Sequence, residues 1–271
     1  GRGAPLDIAF FWKQNDTGLY GRRHDMLLRY LARHPRVGRI VQFDAPVAAS
    51  DLVESDGLTS SGRVDQRNFV LANTVGRFLE ALDDVSVARR VFVHRGRRPH
   101  DSFLGSDLPP LADYPDWVKD TLRRCGLGSA TLSWVAPVVF DYPAVHDALG
   151  FPLCVADLID DQRAMARSEA HRARVNESYA ETLRRAHVVF ANCNAMKEGF
   201  AALRPDIQVV TNAGERTPGP TSPLQRRAAL AHLEGPILGY VGNLRDRIDV
   251  DLLAALSELR PDWQIVLIGS A

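Results

Sequence analysis

Apolar residues along this chain fall into short unbroken runs, and between those runs the apolar positions recur at helical spacing. Leu6 to Trp12 is the first run, bounded by polar residues on both sides, which suits a strand buried on both faces. Further strands are predicted over residues 37–43, 91–93, 130–135, 152–158, 188–192 and 207–211. Helices are predicted between them: residues 21–34, where Met26, Leu27, Tyr30 and Leu31 share a face and Pro35 ends the run, then 68–82, 113–125, 142–149, 161–185 and 195–203. The helix over 161–185 is long and rich in Glu, Arg and Ala, so one of its faces is expected in solvent. Strands alternating with helices predict an α/β domain built on a doubly wound parallel sheet, Rossmann-like in its order.

The alternation breaks after Asn212. Arg216 to Pro223 is dense in Pro, Gly and small polar residues, which neither a helix nor a strand interior tolerates, and a short helix over 224–232 follows. A second unit then opens with Gly235-Pro236-Ile237-Leu238-Gly239-Tyr240-Val241-Gly242, continues into a helical stretch, and ends with Trp263-Gln264-Ile265-Val266-Leu267-Ile268-Gly269. The expected organisation is a first domain over residues 1–214, a linker over 215–234, and the first βαβ of a second Rossmann-like domain over 235–271, whose remainder would lie past Ala271. No repeat of solenoid period and no low-complexity tract interrupts this plan.

Composition narrows the function classes. Apolar residues make up 45% of the 271 positions and charged ones 24%, the profile of a globular chain. Thirty-three basic residues balance 33 acidic ones, so no overall field favours nucleic acid or an anionic membrane. No run approaches the roughly 20 apolar residues that span a bilayer, and the N-terminus lacks the zones of a signal peptide; a cytoplasmic location, with at most peripheral contact at the inner face of a membrane, is the expectation. Cys125, Cys154 and Cys193 are scattered among apolar neighbours without a CxxC pair, which suits small core residues rather than metal ligands. The segment His94 to Ser102 is locally basic through Arg95, Arg97, Arg98 and His100; it reads as a solvated loop or as an attractor of phosphate and lipid head groups.

Three constellations carry candidate chemistry. The first follows strand one, Lys13 to Arg23, where Gly18 and Gly21 let the backbone approach a ligand and a helix begins whose N-terminus favours anions; Asp16, Tyr20 and Arg22 lie in the same turn. Arg22 and Arg23 are equally readable as surface charges of a first helical turn. The second is Val155-Ala156-Asp157-Leu158-Ile159-Asp160-Asp161, carboxylates at the end of an apolar strand, costly there unless hydrogen-bonded or solvated in a crevice. Asp160 and Asp161 have a competing reading as N-cap and first-turn acid of the following helix. The third is the turn from Gly239 to Asp249, with Gly242, Asn243, Arg245 and Arg247. It does not satisfy GxGxxG, which weakens nicotinamide binding, and Gly239 is alternatively a turn glycine needed for helix–sheet packing.

Taken in order, Ala186 to Met196, the Asn212-Ala213-Gly214-Glu215 turn after residues 207–211 and the glycine-turn unit from 235 resemble the domain junction of GT-B glycosyltransferases of the family 4 type. The usual Gly-Gly pair of that family is here Gly18 and Gly21, and its Tyr-Asp-x-x-Asp-Asp subgroup run has Ala156 in the Tyr position. The resemblance implies transfer of a sugar from a nucleotide diphosphate sugar (UDP- or GDP-linked) to a hydroxyl acceptor, a polysaccharide, glycolipid or small molecule, with retention and without a bound metal or tightly held cofactor. Asp157 would lie nearest the reacting sugar as the catalytic residue, Asp16, Gly18, Tyr20, Gly21, Arg22, Asp160 and Asp161 would line the acceptor cleft, and Gly242, Asn243, Arg245 and Arg247 would hold the donor. The family's Glu-x7-Glu segment would fall past Ala271, so the 271 residues alone are expected to be inactive, and the apolar strands of the incomplete domain are expected to be covered by another chain (self-association), by the first domain, or by disorder. A non-catalytic carbohydrate- or partner-binding module of the same ancestry is the alternative, and a nucleotide-sugar epimerase a third. No nucleic-acid partner is expected.

Overall fold

A computed structural model describes residues 5–15, 17, 22–49, 87–95, 111–166, 168–214, 230–242, 244 and 248–269. The chain divides into two compact units, 1–214 and 215–271. The helices expected over 68–82 and 224–232 and the linker expected over 215–234 fall wholly or mostly outside the described residues.

The first unit is an α/β fold around a seven-stranded parallel sheet. In chain order it contains β1 (Leu6–Phe11), α1 (Arg23–Leu31), β2 (Val37–Phe43), β3 (Val47–Ala48), β4 (Val87–Arg90), β5 (Val93–His94), α2 (Tyr114–Arg124), β6 (Leu132–Val135), α3 (Tyr142–Leu149), β7 (Cys154–Leu158), a 3-10 turn (Gln162–Met165), α4 (Glu169–Arg185), β8 (Val188–Ala191), α5 (Asn194–Phe200) and β9 (Gln208–Val209). The strand order is β4-β2-β1-β6-β7-β8-β9, with β3 and β5 forming a separate parallel pair. Numbered within the large sheet that order is 3-2-1-4-5-6-7, Rossmann-like, and its direction reverses between β1 and β6. Ligands of such sheets collect outside the carboxyl ends at that reversal.

Strand alternation divides the core in two. On β1, Ala9 and Phe11 enter a large cluster that holds Val118 of α2, Val145 of α3, Val175 of α4 and Phe200 of α5. Ile8, Phe10 and Trp12 point to the opposite face and pack with Leu28 of α1, Ile40 and Leu132. Both faces of β1 are therefore covered, which is why its sequence is an unbroken apolar run.

Three element boundaries differ from expectation. The third strand of the sheet is Val87–Arg90 rather than residues 91–93, of which only Val93 is in a strand, in the small β3–β5 pair. As an edge strand β4 needs little apolar content, and Arg89 and Arg90 suit a rim that should not recruit another strand. The long helix is broken: residues 162–165 form a 3-10 turn, and α4 starts only at Glu169, where the Ser168 hydroxyl accepts from the His171 N–H at 3.1 Å. Strand β9 is two residues long, not five. Helix α3 matches its expected span, with Pro143 in its first turn and Gly150 ending it at φ 62°, a left-handed position that suits glycine.

Within the second unit, β10 (Ile237–Val241) and β11 (Gln264–Ile268) pair in parallel, joined by α6 (Val250–Leu259), which Asp249 caps by accepting from the Leu252 N–H at 2.9 Å. Gly235 sits at φ 81°, and a Cβ there would come within 2.6 Å of the Asp262 carbonyl. Gly239 lies inside β10 with open space where a Cβ would point, so it is not the turn glycine. That place belongs to Gly242, directly after the strand, where a Cβ on the neighbouring Gly269 would collide with the Gly242 carbonyl. No residue of α6 is buried, and Val241, Leu252, Leu259 and Ile268 are exposed. A groove of about 290 Å³ runs between Leu238 and Tyr240 of β10, Leu252 and Leu253 of α6, and Ile265 and Leu267 of β11.

Candidate functional site

The carboxyl edge of the large sheet gathers the polar residues that the apolar strands deliver to their ends. β1 runs out into Lys13, Gln14 and Asn15, all buried. β7 carries Asp157 one residue before its end and leads to Asp160. Helix α1 begins at this edge with Arg22 as its N-cap and Arg23 as its first residue.

Asp157 is 2% exposed. A carboxylate at that depth needs compensation, and Arg23 supplies it: Nε donates to Oδ2 and Nη2 to Oδ1, both at 3.0 Å. This is a fork-on-carboxylate pair, the strongest geometry for such ions. The remaining Nη1 donates to Asn212 Oδ1 at 3.2 Å. Arg23 thus ties the start of α1, on the β1 side of the reversal, to β7 and to the segment after β9. A second bridge runs the same way. Lys13, 5% exposed, donates to Asp160 Oδ2 at 3.1 Å, and the Asp160 side chain is half exposed. Arg22 donates from Nη1 to Gln14 Oε1 at 2.9 Å while its N–H donates to Asp25 Oδ2 at 3.1 Å, closing the helix start.

Beside these bridges lies a buried network that the sequence reading did not single out. Thr17 donates to Asp44 Oδ1 at 2.8 Å; Gln42 Nε2 reaches both Thr17 Oγ1 at 2.5 Å and Asp44 Oδ1 at 3.0 Å. His24 Nε2 lies 3.2 Å from the same hydroxyl, and its ring stacks on Trp12 at 3.6 Å between centroids. The network locks the β1–α1 segment to the end of β2. Its signal was legible: Gln42 interrupts the apolar run Ile40-Val41-Gln42-Phe43 that ends β2, and Asp44 follows directly, an anomaly like the one that marks Asp157.

Asp161 belongs elsewhere. Its carboxylate accepts from the Arg163 N–H at 3.0 Å and from Arg163 Nε and Nη2 at 2.8 Å each, capping the 3-10 turn. The guanidinium in turn lies 3.9 Å from the Phe200 ring centroid and donates to the Gly199 carbonyl. The hydrogen bond from Arg163 holds the Asp161 carboxyl below its ordinary pKa. Asp160 is neither cap nor first-turn acid, although its backbone carbonyl accepts from the Tyr179 hydroxyl at 2.7 Å.

The structure therefore brings Arg22, Asp157 and Asp160 to one edge, with Lys13, Gln14, Arg23 and Asn212, which the sequence reading left unassigned as site residues. Asp16, Gly18, Tyr20 and Gly21 lie outside the described residues, as do Asn243, Arg245 and Arg247; Gly242 follows β10 in the second unit. Of the basic loop only His94 and Arg95 are described, with His94 buried at the end of β5. Among the described residues no group of three or more His, Cys, Asp or Glu is placed to hold a metal ion, and no helix is long and apolar enough to cross a membrane. Chemically, the edge offers paired charges and side-chain amides, groups able to hydrogen-bond. A scan against models of known protein families and a search of curated proteins each found no match.

Proposed function

We propose that this chain is the acceptor-side domain and the opening of the donor-side domain of a GT-B-type glycosyltransferase, moving a sugar from a UDP- or GDP-sugar to a hydroxyl acceptor. The observation that carries the reading is the order of parts: a Rossmann-like sheet of order 3-2-1-4-5-6-7, the sequence Asn212-Ala213-Gly214-Glu215 after its last strand, then a strand, a glycine at its end, a helix and a parallel strand. The resemblance at the junction supplies the chemistry, and the carboxyl-edge cluster around Asp157 supplies residues able to perform it. In this reading Asp157, with both oxygens fixed by Arg23, aligns the reacting hydroxyl through its charge and position, while Gly242 lets the donor diphosphate approach the backbone. Release of nucleoside diphosphate from UDP- and GDP-sugars by the intact gene product tests it: turnover with at least one donor is expected, and none with any donor overturns it.

The same ion pair favours a second reading. An aspartate whose two oxygens each accept from one guanidinium is held as the anion and keeps one lone pair on each oxygen as a hydrogen-bond acceptor, which suits a carbohydrate-binding module without turnover. Sugar binding without donor cleavage would select that reading.

A further inference from the structure

Several arginines near the amino edge of the large sheet are held by carboxylates: Arg185 by Asp147 and Glu181, Arg204 by Asp206, and Arg124 by Asp120. One stretch departs from that pattern. From Met26 to Phe43 the chain carries Arg29, Arg33, Arg36 and Arg39 and no acidic residue. Arg29, Arg33, His34 and Arg36 are all exposed, and the guanidinium groups of Arg33 and Arg36 have no partner among the described residues. Backbone bonds hold them in one turn between α1 and β2. The Arg33 N–H donates to the Tyr30 carbonyl at 3.2 Å, the His34 N–H to the Leu31 carbonyl at 3.0 Å, and the Val37 N–H to the His34 carbonyl at 2.9 Å. The Arg36 N–H donates to His34 Nδ1 at 3.2 Å. Leu6, at the start of β1, joins the turn by donating its N–H to the Arg36 carbonyl at 2.8 Å. Tyr30 is 54% exposed and Leu6 39%.

Unpaired cations and large apolar side chains thus face solvent side by side, on a chain whose net charge is zero. An anionic bilayer satisfies both. It attracts arginines within a Debye length, roughly 10 Å, and its headgroup level suits tyrosine, whose ring is apolar and whose hydroxyl is wet. A nucleic acid would use the charge but leave Leu6 uncovered, and tight binding to it takes more phosphate contacts than the arginines of one turn make. We infer that the turn from α1 into β2, with the start of β1, is a membrane-docking surface that takes the anionic headgroups of a lipid bilayer. Arg33 and Arg36 supply the attraction, and Tyr30 and Leu6 enter the headgroup layer. The surface lies at the amino edge of the sheet, opposite the edge that holds Asp157, so it is independent of the transfer reading.

The test is co-sedimentation of the full chain with vesicles of phosphatidylcholine alone and of phosphatidylcholine mixed equally with phosphatidylglycerol. Saturable binding to the mixed vesicles is expected, with little to phosphatidylcholine. Raising salt from about 0.1 M to about 1 M, which cuts the Debye length from about 10 Å to about 3 Å, should abolish most of it. Arg33→Ser/Arg36→Ser should weaken binding about 25-fold, about fivefold for each arginine, and Tyr30→Ser should weaken it while keeping its salt dependence. Arg172→Ser, which removes an exposed cation from α4, should leave it in place. Thermal unfolding checks the fold of every variant, and the wild-type comparison of the two vesicle types decides without any of them. Equal binding to both vesicle types, no binding to either, or binding undiminished in the folded double variant overturns the inference. Tighter binding to single-stranded oligothymidylate than to mixed vesicles at equal phosphate concentration also overturns it, and assigns the turn to nucleic acid.

Discussion

Removing the Arg23 guanidinium strands the Asp157 carboxylate in a place that is 2% exposed, and a stranded buried charge costs far more than the intact pair contributes. Arg23→Gln is therefore expected to lower unfolding free energy by about 3–5 kcal/mol, measured by urea denaturation. The double variant Arg23→Gln/Asp157→Asn should recover much of that loss, because an amide facing an amide needs no counter-charge. A double variant as unstable as the single one would contradict a charge-driven pairing. Asp157 was legible in the sequence as a carboxylate on an apolar strand, but Arg23 was not: a guanidinium in a first helical turn looks like a surface charge until the fold brings a residue 134 positions away beneath it. Lys13 and Gln14 were hidden for the same reason, since their partners Asp160 and Arg22 are set by the sheet order and by how α1 enters.

At the scale of elements, the 3-10 turn after β7 depends on one residue's two roles. Asp161 accepts from the Arg163 backbone and holds its guanidinium against Phe200 and Gly199. Asp161→Asn should cost about 1 kcal/mol at neutral pH, the usual scale of a lost cap. The folded-state pKa of Asp161 lies below its unfolded value, so its contribution is present above about pH 4 and disappears as pH falls through the folded pKa. The stability difference between wild type and Asp161→Asn should therefore shrink in acid, as read from denaturation at a series of pH values; a difference independent of pH would rule out the charged pair as its source. A second element-scale contact ties α3 to the sheet, where the Tyr142 hydroxyl lies between Ser133 of β6 and Cys154 of β7. Burial pushes the Tyr142 and Cys154 pKa values up, so both stay protonated and neutral. Tyr142→Phe leaves two buried polar atoms short of a partner and should cost about 1–3 kcal/mol, with no change in the pH dependence of stability between pH 5 and 8. Central strands and α3 were readable from apolar runs and a proline–glycine frame, because burial on both faces imposes a continuous pattern. Edge strands β4 and β9 and the break before α4 were not, since rim strands need few apolar residues and the Ser168 cap sits inside a stretch whose composition is helical throughout.

For the whole molecule, the doubly wound order and the reversal between β1 and β6 locate where chemistry belongs, and the polar ends of β1, β2 and β7 meet there. The alternation of strands and helices is enough to imply that architecture, because right-handed parallel crossovers leave few other arrangements. Reaction type is a different matter: a Rossmann-like sheet hosts many activities, and only the site distinguishes them. In the proposed transfer reaction Asp157 is the residue that aligns the reacting hydroxyl. The decisive measurement is steady-state sugar transfer from UDP- or GDP-sugar by the intact gene product and its Asp157→Asn variant, with folding of both verified by thermal unfolding. A group acting mainly in the transition state should leave donor KM nearly unchanged while kcat falls by roughly tenfold to a thousandfold. Equal kcat in wild type and variant, or a loss confined to donor KM, would contradict the assignment.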